Sequence, residues 1–122
     1  MRVLAIDDSR TIRDMVKLAL TREGIEIELA EDGHHGLEVL DGLDPRPDAI
    51  LTDVNMPRLD GFGFINKVRE NPSYAGIPIL VLTTESAKSM KQRAREAGAT
   101  GWIVKPFDPA RLVGALRTVT GL

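Results

Sequence analysis

Five short apolar runs, each followed by a helix-forming stretch, constrain this chain more than any other feature. Val3-Leu4-Ala5-Ile6 is a continuous apolar run, the pattern of a strand buried on both faces. Ile12, Met15, Val16, Ala19 and Leu20 then recur at helical spacing and predict one apolar stripe, stopped by Gly24. Ile25 to Ala30 alternates apolar residues with Glu26 and Glu28, as an edge strand does. Asp32-Gly33 turns the chain into a short helix carrying Leu37, Val39 and Leu40, and Asp44-Pro45-Arg46-Pro47 breaks it.

Ala49 to Thr52 reads as the third strand. Phe62 to Glu70 reads as a helix burying some of Phe62, Phe64, Ile65 and Val68, ended by Asn71-Pro72. Ile77 to Leu82 is the fourth strand. The helix from about Ala87 to Ala97 offers only Ala87, Met90, Ala94 and Ala97 for burial, and Gly98 caps it. Gly101 to Val104 is the fifth strand. Asp108 as N-cap and Pro109 at the first helical position start a last helix, with Leu112, Val113, Leu116 and Val119 facing inward.

Strict alternation of strand and helix implies an α/β fold, a parallel sheet covered by helices on both sides. No linker, repeat or low-complexity segment interrupts it, so one domain is expected to use all 122 residues, with no output domain attached. The absence of cysteine excludes disulfides and thiolate chemistry. A net charge of −2 gives no reason to expect nucleic acid or an anionic membrane as partner. The N-terminus reaches Asp7 too soon for a signal peptide, and no apolar run approaches membrane-spanning length; a cytoplasmic monomer is expected.

In a parallel sheet all carboxyl ends lie at one edge, where such folds place their ligands. Four strand ends carry polar residues: Asp7 and Asp8, Asp53, Thr83, and Lys105. Each taken singly has a plain structural use, such as capping a helix, closing an Asx-turn or reaching solvent. Together they suggest chemistry. Three carboxylates in one cleft repel unless a cation joins them, and an all-oxygen set favours Mg²⁺ over zinc. A lysine beside them neutralises an incoming phosphoryl group. A carboxylate needs no general base to attack phosphorus, so Asp53 would form an acyl phosphate, which is labile in water. The Thr83 hydroxyl would then hydrogen-bond the new phosphoryl oxygens.

Asp7-Asp8, the run from Asp53 to Gly61, Thr83 and Lys105-Pro106-Phe107 resemble, over the whole chain, the receiver domain of two-component response regulators. The resemblance implies a flavodoxin-like (βα)5 sandwich with strand order 2-1-3-4-5, and phosphorylation of Asp53 by a histidine kinase. It implies that Asp8, the Asp53 side chain and the Asn55 backbone carbonyl ligate Mg²⁺, with Asp7 assisting through water, and that Thr83 and Lys105 contact the phosphoryl group. Asp7-Asp8-Ser9-Arg10, Asn55 and Glu85 look like the single-domain chemotaxis branch, in which the output partner is a flagellar motor switch protein. Asn55 and Glu85 would there tune the lifetime of the phosphate. Trp102 departs from the family, whose switch aromatic is usually Tyr or Phe; it reads either as a switch or as a packed strand residue.

The small-residue helix with Lys88, Met90 and Lys91, beside Trp102 and the last helix, is the expected partner face, because sparse burial makes an element easy to shift. A phosphorelay intermediate or phosphate sink is the alternative within the family. A small aspartyl phosphatase fits less well, since Asn55 stands where that chemistry places a second acid. A flavin carrier is excluded by Asp7-Asp8, which would repel the flavin phosphate. His34 and His35 are adjacent, cannot chelate one metal from a helix, and read as solvated. Arg93 and Arg95, with Lys88 and Lys91, read as a solvated face.

Overall fold

A computed structural model describes all 122 residues. In chain order the elements are β1 (Arg2–Ile6), α1 (Arg10–Thr21), β2 (Glu26–Ala30), α2 (Gly33–Gly42), β3 (Ala49–Thr52) and α3 (Gly61–Glu70). A 3-10 turn at Pro72–Tyr74 leads to β4 (Ile79–Thr83), α4 (Lys88–Ala97), β5 (Gly101–Val104) and α5 (Pro109–Thr120). All strands are parallel, in the order β2-β1-β3-β4-β5. The parallel sheet is what the strand–helix alternation implies, and its flavodoxin-like order is what the family resemblance implies.

Alternate strand residues feed separate cores, which is why the central runs are apolar without a break. Leu4, Ile6, Ile50, Ile79 and Val81 meet Leu40, Phe64, Val68 and Ala94 of α2, α3 and α4 on one face. Val3, Ala5, Ala49, Leu51, Leu80 and Leu82 meet Val16 and Leu20 of α1 and Leu112 and Leu116 of α5 on the other. β2 is an edge strand, with Glu26 and Glu28 exposed and only Ala30 fully buried. The sheet reverses its winding between β1 and β3, so the crevice above their carboxyl ends is open.

Several expectations shift. β4 begins at Ile79, because Pro78 has no N–H for the ladder. Met15 is 45% exposed and stands outside the apolar stripe of α1. Ser9 caps α1, its hydroxyl accepting from the Ile12 N–H at 3.3 Å. Ala87 is the exposed N-cap of α4 and Ala94 its one fully buried residue; Met90 and Ala97 are half-buried. Asp108 sits at the N-cap of α5 but its side chain makes no capping bond. His34 is exposed, whereas His35 is half-buried and its Nδ1 accepts from the Glu31 N–H at 3.1 Å.

Candidate functional site

The crevice is built by strands that continue their ladder one residue past their ends. The Asp7 N–H donates to the Ala30 carbonyl and the Asp53 N–H to the Ile6 carbonyl, both at 3.1 Å, so both aspartates leave the sheet on the same rim. Lys105 does the same after β5, its N–H donating to the Thr83 carbonyl at 2.7 Å. Its ammonium lies between two carboxylates, 2.6 Å from Asp7 Oδ2 and 2.8 Å from Asp53 Oδ2, with all three side chains at most 10% exposed. Carboxylate oxygens of Asp7, Asp8 and Asp53 fall within 4.8 Å of one another.

The two oxygens of Asp53 have different surroundings. Oδ1 accepts from the N–H groups of Val54 at 2.6 Å and, more weakly, Asn55 at 3.2 Å, so its orientation is set by its own loop. Oδ2 faces Lys105 and keeps a lone pair free. Gly61 makes the tight return possible: its N–H donates to the Val54 carbonyl at 3.0 Å, and a Cβ there would stand 2.1 Å from the Asp53 carbonyl oxygen. Asp7 is held by the Ser9 N–H on Oδ1 at 2.9 Å, while Arg13 donates to its carbonyl at 2.7 Å.

Burial raises the Asp7 carboxyl above its ordinary value, and the hydrogen bonds from Lys105 and Ser9 offset that only in part. For Lys105 burial acts to lower the ammonium, but hydrogen bonds and charge from Asp53 and Asp7 outweigh it and leave its pKa raised. The cluster is thus a locked positive charge between anions, with the third carboxylate, Asp8, exposed. The donor set is all oxygen, which suits a hard divalent ion that keeps part of its water shell.

Thr83 is fully buried at the end of β4, and its Oγ1 has only a long contact of 3.4 Å from the Glu85 N–H. Glu85 bridges outward: its side chain accepts from Asn55 Nδ2 at 3.1 Å and its carbonyl from Trp102 Nε1 at 2.9 Å. Trp102 is half-buried and tied to the β4–α4 loop by that indole bond, so it stands one step from the cluster rather than in it. Lys91 and Trp102 line one shallow pocket between α4 and β5; Lys88 is exposed and does not border it. Sequence reasoning passed over Arg13 and the pair Asp32–Arg58, whose roles depend on tertiary placement that no local pattern signals.

A family model of the response regulator receiver domain matches residues 3–117. The chain belongs to this family. The receiver is 39% identical to the chemotaxis protein CheY1 of Helicobacter pylori, over 99% of this chain and 98% of that protein. Chemotaxis response regulator CheY4 of Vibrio cholerae superposes with a TM-score of 0.90 at 46% identity, covering 97% of each chain. The receiver domain of the sensor histidine kinase PA1611 from Pseudomonas aeruginosa, which holds a magnesium ion in its active-site cleft, has a TM-score of 0.90 at 26% identity, over 99% of this chain and 98% of its own. No helix of the receiver is long and apolar enough to cross a membrane.

Proposed function

We propose that this receiver is a phosphorylation-controlled switch of the chemotaxis type, marked on Asp53 by a histidine kinase and read by a flagellar motor switch protein. The observation that carries the reading is the Lys105 ammonium bonded at once to Asp7 and Asp53, with three aspartate carboxylates inside 4.8 Å. Such an arrangement is costly for a fold and suits a site that receives a dianion beside a metal.

Asp53 Oδ2, the oxygen on the Lys105 side, forms the new O–P bond as the N–P bond of a phosphohistidine breaks. The electron pair of that bond returns to the imidazole nitrogen, and the product is an acyl phosphate on Asp53. Lys105, already within hydrogen-bond reach of Oδ2, neutralises charge on the phosphoryl oxygens. Thr83 turns its weakly engaged hydroxyl toward them. Mg²⁺ would be held by Asp8, the Asp53 side chain and the Asn55 carbonyl, with Asp7 through water, and supplies charge neutralisation during transfer. Hydrolysis needs a water in line with the O–P bond, and the Asn55–Glu85 bridge beside Asp53 tunes its entry. The protein thus catalyses only its own phosphorylation and dephosphorylation.

The output face is α4 with β5 and α5, including Lys88, Lys91 and Trp102. Incubation with labelled acetyl phosphate and Mg²⁺ should give one acid-labile phosphate per chain, lost on chelation and absent in Asp53→Asn. Continuous turnover of a phosphomonoester would instead make the protein a phosphatase. A pull-down with beryllofluoride-treated protein separates the outputs: a motor component supports chemotaxis, whereas a histidine phosphotransfer protein supports a relay.

A further inference from the structure

The loop that carries Asn55 is tied to the N-terminus of α2, which follows the carboxyl end of β2. Between Asp53 and α3 the chain closes on itself through the Gly61 N–H to Val54 carbonyl bond. At its far side Arg58 adopts φ +65°, the left-handed region that a residue with a Cβ enters at a cost of about 1 kcal/mol or more. Such a conformation persists where surrounding contacts over-determine it.

Two contacts do so here. Arg58 forks onto Asp32, Nε to Oδ2 and Nη2 to Oδ1, both at 2.8 Å. Asp32 is the N-cap of α2, its Oδ1 also accepting from the His35 N–H at 2.9 Å, and its side chain is 7% exposed. The second contact is a backbone bond, Gly33 N–H to the Leu59 carbonyl at 3.2 Å, at a point where a Cβ on Gly33 would stand 2.5 Å from that oxygen. The hydrogen bond from Arg58 is also the main cause holding the Asp32 carboxyl below its ordinary range. The Arg58 side chain is itself 54% exposed, so what the fork contributes is the directionality of a bidentate pair rather than a buried charge.

We propose that Asp32 and Arg58 are positioning residues: their bidentate bridge from the α2 N-terminus to the β3–α3 loop holds the Val54 and Asn55 amides on Asp53 and presents the Asn55 backbone to the metal. The inference rests on the phosphorylation reading for its purpose, but the bridge can be tested without it. Asp53 Oδ1 is oriented by two amides that belong to this loop, so a loop free to turn at Arg58 releases the carboxylate it aims.

The variants are Arg58→Gln, which breaks the fork; Arg58→Gly, which also relieves the left-handed strain; and Arg58→Lys, which keeps the charge but has no fork. Three quantities are measured on the full chain: amide exchange at Val54 and Asn55 in metal-free protein, the Mg²⁺ dissociation constant by Trp102 fluorescence, and the urea midpoint. In Arg58→Gln, exchange at these amides should quicken and Mg²⁺ affinity fall, each by about tenfold, the scale for losing an outer support of a metal site. Arg58→Lys should recover less than half of either loss on a logarithmic scale. Arg58→Gly should regain some of the urea midpoint but none of the Mg²⁺ affinity. Wild-type exchange and affinity in Arg58→Gln would overturn the proposal, as would losses no larger than its fall in global stability predicts. A wild-type protein that neither binds Mg²⁺ nor takes phosphate would sink the reading of the site, while the exchange data would still decide on the bridge.

Discussion

Replacing Lys105 by methionine tests the central electrostatic claim with little change in side-chain length. The ammonium sits 2.6 Å from Asp7 and 2.8 Å from Asp53, and its side chain is 8% exposed. Without it, carboxylate oxygens within 4.8 Å face each other with no counter-charge. At that separation two unit charges repel by about 3.5 kcal/mol at an effective dielectric constant of about 20. Breaking a buried ion pair from one side costs about 3–5 kcal/mol in other proteins, so the two routes agree. For a domain of this size the melting temperature should fall by about 10 °C or more.

The pH dependence has a definite sign. Burial raises Asp7 in the folded protein, so the fold weakens as pH climbs from the unfolded carboxyl value, about 4, through the folded one. Lys105 stays protonated across that range, its own pKa being raised. Deleting Lys105 removes a hydrogen bond that lowers Asp7, so Asp7 in the variant titrates still higher. The stability deficit of Lys105→Met should therefore be smallest near pH 4 and widen toward pH 7.5. Urea unfolding in chelator, repeated with Mg²⁺, is the assay. Mg²⁺ at a hundred times its dissociation constant adds about 2.7 kcal/mol to a protein that binds it only when folded. The variant should gain more than wild type at equal Mg²⁺, since the cation no longer competes with an ammonium. A deficit under about 1 kcal/mol at pH 7.5, or one that shrinks with rising pH, refutes the reasoning.

Three further substitutions probe the scaffold. Gly61→Ala places a methyl 2.1 Å from the Asp53 carbonyl oxygen, so the backbone must move; a loss of about 2 kcal/mol or more in urea unfolding and strongly reduced labelling of Asp53 are expected. Arg69 donates to the Gly98, Tyr74 and Ala75 carbonyls at 3.1–3.2 Å and so fastens the end of α4 to the 3-10 turn. Arg69→Met should cost about 2–4 kcal/mol and speed amide exchange at Gly98 and Ala99 before that of the sheet. Trp102→Phe keeps a ring but deletes the indole bond to Glu85, so exchange in the 84–87 loop should rise by about fivefold, as loss of about 1 kcal/mol implies.

The fold was legible because the central strands are buried on both faces and their runs admit few alternatives. The same geometry made the cluster legible: once the sheet is parallel, Asp7, Asp53, Thr83 and Lys105 must share a rim, whatever helices lie between them. Met15 was misread because periodicity marks a stripe but not how wide a neighbouring element covers it, and Met15 lies outside what α1 buries. Arg58 could not be read at all. A glycine or asparagine would have signalled its left-handed φ, and its partner Asp32 is distant in sequence. Arg69 escaped for the same reason, as did the indole bond of Trp102 though the residue itself stood out, since long side chains choose carbonyls that only the assembled fold brings near.

On the proposed reading, these late-assembling contacts also set the scale of the switch. Glu85 is joined to Asn55, to Trp102 and weakly to Thr83, so moving its loop exchanges three hydrogen bonds. At about 1 kcal/mol each they amount to roughly 3 kcal/mol. Reversing a two-state balance from 1:99 to 99:1 takes about 5.5 kcal/mol. Those bonds hold the resting position, so the whole sum must come from the phosphoryl group itself, through charge-assisted bonds to Lys105 and Thr83 that exist only after transfer. That sum suffices only if the moving element carries little buried surface, and α4, with Ala94 alone fully buried, meets the condition. A bulkier apolar side chain at Met90 or Ala97 that fastens α4 to the core should therefore leave labelling of Asp53 intact while weakening phosphate-dependent partner binding.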